Sequence, residues 1–579
     1  VDKHIVAEIL QEISTLLALN GENSFKVRAY HIAAHAIESL REDLQNLILE
    51  KRLKEIPGIG EQIAEKITIL AETGRLPYYE KLKTLTPPGL LELLYIPGLG
   101  AKRIRALYER LKVRSVEDLF IACKQGKVAV LKGFGEKIEA LLLQEVIKRK
   151  TTGKRWLWTE AEEIAHPLLH KIIRIRYVER AAIVGSLRRG LETVADIDYV
   201  VASARPRAVV ESFASFPELA KVLTKEPKKI SVELHGGLHV DLYLVLPDEY
   251  GFALIHYTGS REHNMELDKR ALTRGYALSA RGFIPVEGKL KRFSLKNKVW
   301  NERSIYRSLG LSYIPPEVRE NRGECTVAAR RKLPQFVEIE DIRGVFHCHT
   351  TESDGQSTLE EMAEAAQMHG WEYIGISDHS VSSVLARGLD ADRLLNQIEH
   401  IRALNASGVY SIYLFSGLEC DIDRKGKLDF PDEILQQLDF VIVSIHRSMH
   451  LDEAAMTQRL IKAIENPHTT MVGHLTGRLL LHRDPYRIDV EKVIDACIAN
   501  HTIVELNSQP TRLDMEWRYW QKAAQKGLKC SINPDAHSVE DFANLACGIR
   551  SARKGWLESK HIFNTLALER IKKFFIKKR

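Results

Sequence analysis

From Gly344 onward, seven short runs rich in β-branched and aromatic residues recur every 27 to 40 residues: VFHCH, YIGIS, IYLFSG, FVIVS, TMVGH, TIVEL and KCSIN. Amphipathic helical sequence such as LEEMAEAAQMHG and VEKVIDACIAN separates most of them. Strands alternating with helices predict a parallel sheet, and seven such units predict a (βα)7 barrel resembling a TIM barrel. In barrels of this kind the catalytic groups gather at the carboxyl ends of the strands. His347, His349 and Asp354 follow the first run, His379 the second, Glu419 the third, His446 the fourth and His474 the fifth; Asp535 and His537 follow the last. Only TIVEL carries none. Imidazole and carboxylate are ligands that zinc and manganese accept. A single histidine reads as a hydrogen-bonded core residue, but a set repeated strand after strand predicts a multi-metal hydrolytic centre. His347 and His349, two apart on one strand end, can face one metal; Asp535 and His537 repeat that arrangement, and Glu419 is placed to bridge. His450, His482 and His501 fall outside the pattern and read as structural.

The front of the chain is built differently. Apolar residues at helical spacing (Ile5, Ile9, Ile13, Leu16, Leu17) stop at Asn20-Gly21. A turn then repeats: Ile56-Pro57-Gly58-Ile59-Gly60 before EQIAEKI, and Ile96-Pro97-Gly98-Leu99-Gly100 before AKRIRAL. Leu131-Lys132-Gly133-Phe134-Gly135 before EKIEALL is a weaker third copy. Glycines let the backbone approach a phosphate, and the helix that follows offers free amide donors. Lys66, Lys102, Arg103 and Lys137 stand close behind. One such turn is as readily a plain helix–helix connection; two strong copies predict a grip on the DNA backbone through Gly58, Gly60, Gly98, Gly100, Lys102 and Arg103.

After Trp156 short β-branched runs alternate with helices, an α+β pattern. Gly185-Ser186 is followed after nine residues by Asp196-Ile197-Asp198. In a strand both aspartates share a face and repel unless cations lie between them. Asp241, in HVDLYLV, offers a third carboxylate from a neighbouring strand. Three hard oxygen ligands suit magnesium and two-metal phosphoryl transfer, with Gly185, Ser186 and Arg189 around a triphosphate. Asp-x-Asp alone is more often a solvated pair; the flanking Val194, Ile197, Tyr199 and Val200 argue for burial here.

Composition agrees with this division. Residues 1–340 hold 55 Lys and Arg against 44 Asp and Glu, whereas 341–579 hold 29 against 33. The basic excess sits where a polyanion is expected. Seven scattered cysteines with no CxxC pair speak for a reducing compartment and against a disulfide framework. No apolar run reaches the roughly 18 residues of a membrane span, and the first residues read as a helix rather than a secretion signal.

The motif GSx9DxD, the segment HYTGSREHN (His256–Asn264) and the glycine turns resemble family X DNA polymerases. The histidine-rich segment resembles a polymerase-and-histidinol-phosphatase (PHP) domain. The resemblance runs nearly end to end. It implies an N-terminal helical domain on gapped DNA over 1–85, fingers with a second helix-hairpin-helix over 86–152, and a nucleotidyltransferase palm over 153–247. A thumb over 248–318, a linker over 319–342 and the PHP barrel over 343–579 follow. Asp196, Asp198 and Asp241 are then the catalytic carboxylates for two Mg2+, with Asp241 near the primer 3′-hydroxyl. Ser186 and Arg189 correspond to nucleotide-phosphate contacts, Tyr257 and Gly259 to the segment beside the incoming sugar, and Asn264 to a minor-groove contact. Lys66 corresponds to the Schiff-base lysine of 5′-deoxyribose-phosphate lyases, although Gln62 replaces a supporting lysine. His239 and Asp268 stand where some relatives carry basic residues. All nine PHP ligands are present, implying up to three Mn2+ or Zn2+ ions, 3′→5′ exonuclease activity and an extension to abasic-site cleavage, with Arg478 of HLTGR on the phosphate. The resemblance further implies gap filling in DNA repair from dNTPs by a cytoplasmic, nucleoid-associated monomer with no membrane contact. Two alternatives remain open: a catalytically silent PHP domain that supports the polymerase, and a template-independent nucleotidyltransferase. The basic IKKFFIKKR end reads as a solvated helix end or a DNA contact.

Overall fold

The computed structural model describes residues 3–38, 40, 44–73, 76–86, 90, 93, 96, 99–152, 155–286, 300–383 and 386–578. Pro97 and Gly98 of the second glycine turn lie outside them, as does the thumb segment 287–299.

Residues 1–154 form one compact, all-helical unit. Helix Lys3–Leu19 lays Leu10, Ile13 and Leu17 against Ala33 and Ile37 of helix Ser24–Glu38, and Gly21, at φ +75°, reverses the chain between them. Ile63, Ile67 and Leu70 of helix Glu61–Thr73 complete that core. A second core joins Ile104 and Leu107 of helix Ala101–Leu111 to Leu119 of Val116–Lys124 and to Leu142 and Val146 of Glu136–Thr152.

Arg155–Ser383 and Gly388–Arg579 form the other unit. A five-stranded mixed sheet comprises β1 (Arg180–Val184), β2 (Asp196–Ala202), β3 (Leu219–Glu226), β4 (Lys229–Leu234) and β5 (His239–Val245), in the order β1-β2-β5-β4-β3. Alternation decides its faces: Ile197, Tyr199 and Val201 of β2 pack with Val240, Leu242 and Leu244 of β5 over helix Trp158–Ile173. Asp196 and Asp198 therefore fall on the other face. Helices Tyr250–Thr258 and Arg261–Leu272, the hairpin Tyr276–Ser279/Gly282–Pro285 and helix Glu302–Ser308 pack as a thumb around Phe252, Phe283 and Trp300.

The barrel has the seven strands read from the sequence: β6 (Gly344–Val345), β7 (Tyr373–Ile376), β8 (Tyr413–Asp421), β9 (Phe440–Ser444), β10 (Met471–Val472), β11 (Ile503–Asn507) and β12 (Cys530–Asn533). They are parallel and in sequential order. A parallel bridge, Cys348 to Ala536, joins the ends of the first and last strands. Helices between the strands cover the outside, where Met362, Ile398, Leu460, Val493 and Trp520 are buried.

Two expectations change here. The expected linker over 319–342 is packed structure: Arg319 is fully buried and donates to Glu302 Oε1 (2.8 Å), Glu324 is buried against His263 (2.6 Å), and Phe336 and Val337 are buried. Its charges pair with Glu302 and His263 of the preceding segment, which polarity and prolines alone did not reveal. The basic C-terminal end belongs to helix Leu568–Lys578, whose Phe575 enters the barrel among Phe346, Phe415 and Phe440 with centroids 5.2–5.8 Å away. The two phenylalanines make that segment a plug, while Lys573 and Lys577 are exposed. No helix among the described residues is long and apolar enough to cross a membrane.

Two candidate metal centres

In the palm, parallel pairing of β2 with β5 sets Asp198 opposite Asp241 and Asp196 opposite His239. The turn from β1 into helix Gly185–Arg188 runs directly over Asp198. Gly185 has φ +67°, and a Cβ there would collide with the Asp198 carboxylate, so glycine is required twice over. Burial, reinforced by the carboxylates of Asp196 and Asp241, pushes Asp198 up to about 7. Burial and Asp241 also raise Asp196. Asp241 goes the other way: burial opposes its ionisation, but Lys229 Nζ at 2.7 Å and the Tyr243 hydroxyl at 3.0 Å hold it below the usual range. A site where one carboxylate must take a proton and another a lysine is short of positive charge, and divalent cations fit it.

A cleft of 540 Å³ opens over Asp196 and Asp198. Gly185, Ser186, Arg189, Asp196, Asp198, Tyr257, Gly259, Asn264 and Asp268 all border it. Tyr257 stacks on Tyr243 (4.0 Å between centroids). Asn264 Nδ2 donates to the His256 carbonyl (2.7 Å), while its buried Oδ1 has no partner. Asp268 accepts from the Leu278 amide (2.8 Å). The Ser260 hydroxyl caps the helix that carries Asn264 by accepting from His263 N (3.2 Å). His263 is buried between Glu324 (2.6 Å) and the Tyr306 hydroxyl (2.8 Å), so the supposed linker fixes the thumb segment. Arg189 Nε pairs with Glu320 at 3.0 Å.

In the barrel all nine expected ligands converge. Four donor sets each lie close enough to share an ion: His349, Asp354, His379 and His537; His347, His474 and Asp535; His347, His349 and Glu419; and His379, Glu419 and His446. Glu419 sits at the middle, with Oε1 2.9 Å from His474 Nε2 and Oε2 2.9 Å from His379 Nδ1. Inside this closed pocket His347 Nε2, both ring nitrogens of His349, His379 Nδ1 and His474 Nδ1 are buried without a hydrogen bond. Such orphaned imidazoles are costly unless metals take them, so the donor set fits borderline divalent ions. The electrostatics agree. Burial disfavours every charge here, yet the histidines hold Glu419 and Asp535 well below the carboxylate range. Against burial, Glu419 and Asp421 carry His446 to about 10, and Asp354 and Asp535 carry His537 to about 9. Burial beside His537 and His379 takes His349 to about 4.

Several residues that matter were not visible as motif members. Glu505, the carboxylate of TIVEL, is fully buried; its Oε1 lies 2.6 Å from His347 Nδ1, and its Oε2 accepts from the His474 amide (2.8 Å). It orients two ligands from behind. Asp421 does the same for His446 Nδ1 (2.9 Å). Asp378 binds Thr350 and Gln397, tying the first two ligand loops together. A buried carboxylate at a strand end was the only available signal. Arg478 does not stand as a phosphate contact: it pairs with Glu192 (2.6 Å) and donates to the Arg512 carbonyl (3.0 Å) and to that of Leu513.

In the helical unit, the Ile59 amide donates to Ile56 O (3.0 Å), Leu99 to Ile96 O (3.0 Å) and Phe134 to Leu131 O (3.1 Å). The same backbone hydrogen bond thus closes all three copies, and Gly58 and Gly133 share φ +93°. Gly60, Gly100 and Gly135 each lead into a helix, and Lys102 is exposed. Arg103 lies 5.9 Å from the Phe134 ring. Lys66 is half-buried, with Nζ donating to Gln62 O (3.0 Å) and lying 5.0 Å from the Tyr78 ring.

Residues 2–76 match the helix-hairpin-helix domain, 90–146 the SAM-like helix-hairpin-helix tandem, 253–320 the DNA polymerase beta thumb and 346–509 the PHP domain. The chain is 36% identical over 575 residues, 99% of both chains, to the DNA polymerase/3'-5' exonuclease PolX of Bacillus subtilis (strain 168). Its barrel resembles probable phosphatases. Identity is 26% over 230 residues with one from Thermoanaerobacter sp. (strain X514), covering 38% of this chain and 89% of the relative. It is 32% over 220 residues with one from Caldicellulosiruptor saccharolyticus, covering 36% and 83%.

Proposed function

Since the chain belongs to the family X DNA polymerases that carry a C-terminal PHP domain, we propose that it fills short gaps in DNA at the aspartate centre and trims 3′ ends at the histidine centre. The observation that carries this reading is the convergence of two chemically distinct donor sets. Asp196 and Asp198 border a nucleotide-sized cleft with Asp241 paired beside Asp198, and nine imidazole and carboxylate ligands crowd one barrel mouth.

In the palm, Asp196, Asp198 and Asp241 would hold two Mg2+, whose positive charge would favour in-line displacement at the nucleotide α-phosphate. Ser186 and Arg189 receive the triphosphate, Tyr257 and Gly259 line the sugar, and Asn264 offers its free Oδ1 to the base-pair edge. Asp241 orients the primer 3′-hydroxyl once Lys229 releases it. In the barrel, the nine imidazole and carboxylate ligands would hold up to three Mn2+ or Zn2+ ions, which would lower the barrier to hydrolysis at neutral pH. Glu505 and Asp421 hold the ligands to them, and Glu419 spans the sets. The glycine turns, through Gly58, Gly60, Gly98, Gly100, Lys102 and Arg103, grip the backbone on either side of a gap without reading sequence. The substrates are gapped or primed DNA and dNTPs, and the protein acts as a cytoplasmic monomer at the nucleoid. Lyase action at Lys66 would require its amine to leave the Gln62 carbonyl, and abasic-site cleavage would fall to the histidine centre.

A one-nucleotide-gapped duplex tests the reading. With dNTPs and Mg2+ the gap closes by one templated nucleotide; without dNTPs, in Mn2+, the 3′ end shortens. Addition without regard to template would favour a template-independent transferase, and absence of shortening from the unaltered protein would make the barrel a silent support.

A further inference from the structure

Arg512 lies in the loop between β11 and helix Trp517–Gln525, at the mouth of the histidine centre. Its side chain is only 17% exposed. Its Nε stands 3.3 Å from Asp535 Oδ2, outside hydrogen-bonding geometry, and the guanidinium makes no hydrogen bond among the described residues. Neighbouring enclosed arginines are spent differently: Arg459 donates to Ile422 O, Asp423 O and Arg447 O, and Arg478 to Glu192 and two carbonyls. Arg512, unlike these two, keeps its donors.

The loop around it is firmly held. The Leu480 amide donates to Thr511 O (2.6 Å), and fully buried Asp514 accepts from the amide and hydroxyl of Thr476, both at 2.9 Å. Arg478 clamps the carbonyls of Arg512 and Leu513. Asp535 turns its other oxygen, Oδ1, toward His347 Nε2 (3.4 Å) and His349 Nε2 (3.3 Å). One carboxylate thus separates the ligand cage from the guanidinium. A planar cation with free N–H groups, fixed beside metal ligands and partly shielded from water, matches the two non-bridging oxygens of a phosphodiester.

We propose that Arg512 grips the phosphate to be cleaved at the histidine centre, and that Arg478 is the residue that positions it. This rests on reading that centre as a phosphodiesterase. Arg512 transfers nothing; its fork orients the phosphate and balances charge as the diester breaks.

The full-length protein with Arg512→Met and with Arg512→Lys tests it, through metal content by elemental analysis and affinity of the Mn2+-loaded protein for inorganic phosphate by calorimetry. Cleavage of a single-stranded oligonucleotide in Mn2+ is the third readout. Arg512→Met keeps the wild-type metal content but binds phosphate about 10- to 100-fold more weakly and raises the oligonucleotide KM, as loss of charge-assisted hydrogen bonds requires. Arg512→Lys recovers part of the affinity. Unchanged phosphate affinity in Arg512→Met overturns the proposal, as does a fall in metal content, which would make Arg512 a support for Asp535. If the wild type holds metal and binds phosphate but cleaves no DNA, the phosphodiesterase reading fails, while the phosphate comparison still decides the role of Arg512.

Discussion

At the scale of single residues, charge balance controls both centres. Asp198, pushed up to about 7 by burial and its two neighbours, holds a proton over much of the neutral range when no cation is present. Cation binding must displace that proton, so Mg2+ affinity rises with pH through about 7. Linkage gives the matching sign for stability. An acid whose folded-state value lies above its unfolded one costs stability as pH rises between the two. The metal-free protein therefore loses stability from about pH 4 to 7, and Mg2+ restores it. Thermal denaturation against pH with and without Mg2+ measures this; curves that stay parallel speak against the assignment. Asp198→Ala removes nucleotide addition and leaves DNA binding within a few-fold, checked by primer extension beside a binding titration. Glu505→Gln weakens metal retention about 10- to 100-fold, as loss of an orienting carboxylate does; chelator competition is the measurement. The nine ligands were legible because each ends a strand-like run. Glu505 was not, since its partner His347 stands 158 residues away. Arg478 was misread for the same reason: Glu192, which claims it, is 286 residues distant.

At the scale of elements, one backbone hydrogen bond closes all three glycine repeats. Gly58 and Gly133 share a left-handed φ, but their surroundings differ. A Cβ on Gly58 would strike Ile32 Cγ2, whereas one on Gly133 meets nothing. Gly133→Ala costs only the backbone strain, about 1–2 kcal/mol, while Gly58→Ala adds steric conflict and destabilises the helical unit further. Comparison of the two unfolding midpoints decides it, and equal losses would contradict the difference in packing. The repeat in sequence announced these turns, and the third, weaker copy proves to have the same hydrogen bond as the first two. Binding through such turns falls steeply as salt rises, because phosphate contacts release counterions. A flat salt response on gapped DNA would remove them from the interface. The plug made by Phe575 was hidden because a basic tail with two phenylalanines says nothing of which cavity it fills.

At the scale of the whole molecule, the barrel and the palm are joined through buried cations. Lys554, from helix Leu545–Lys554, is 1% exposed and donates to Glu320 Oε1 (2.7 Å), Arg189 O (3.1 Å) and Glu317 O (3.2 Å). Glu320 in turn holds Arg189 at the nucleotide cleft. Arg550 lies 3.8 Å over the Trp158 ring, and Arg478 reaches Glu192, four residues before Asp196. The loop from Gly185 to Asp196 is therefore braced from the barrel side. Lys554→Met leaves buried acceptors unpaired, costing about 1–3 kcal/mol, and raises the dNTP KM while metal content stays unchanged. Steady-state kinetics beside elemental analysis checks both. Fold class and order of parts were legible in periodicity and motifs; this bracing was not, because it depends on ion pairs between segments hundreds of residues apart. The claim on which the rest depends is that two separate cages hold different cations for different chemistry. Anomalous diffraction from crystals soaked in Mn2+ tests it most directly. The expected map has strong peaks among His347, His349, Glu419 and Asp535 and another between Asp196 and Asp198, the first set alone vanishing in Asp535→Ala. A map with no peak at either place would contradict the account.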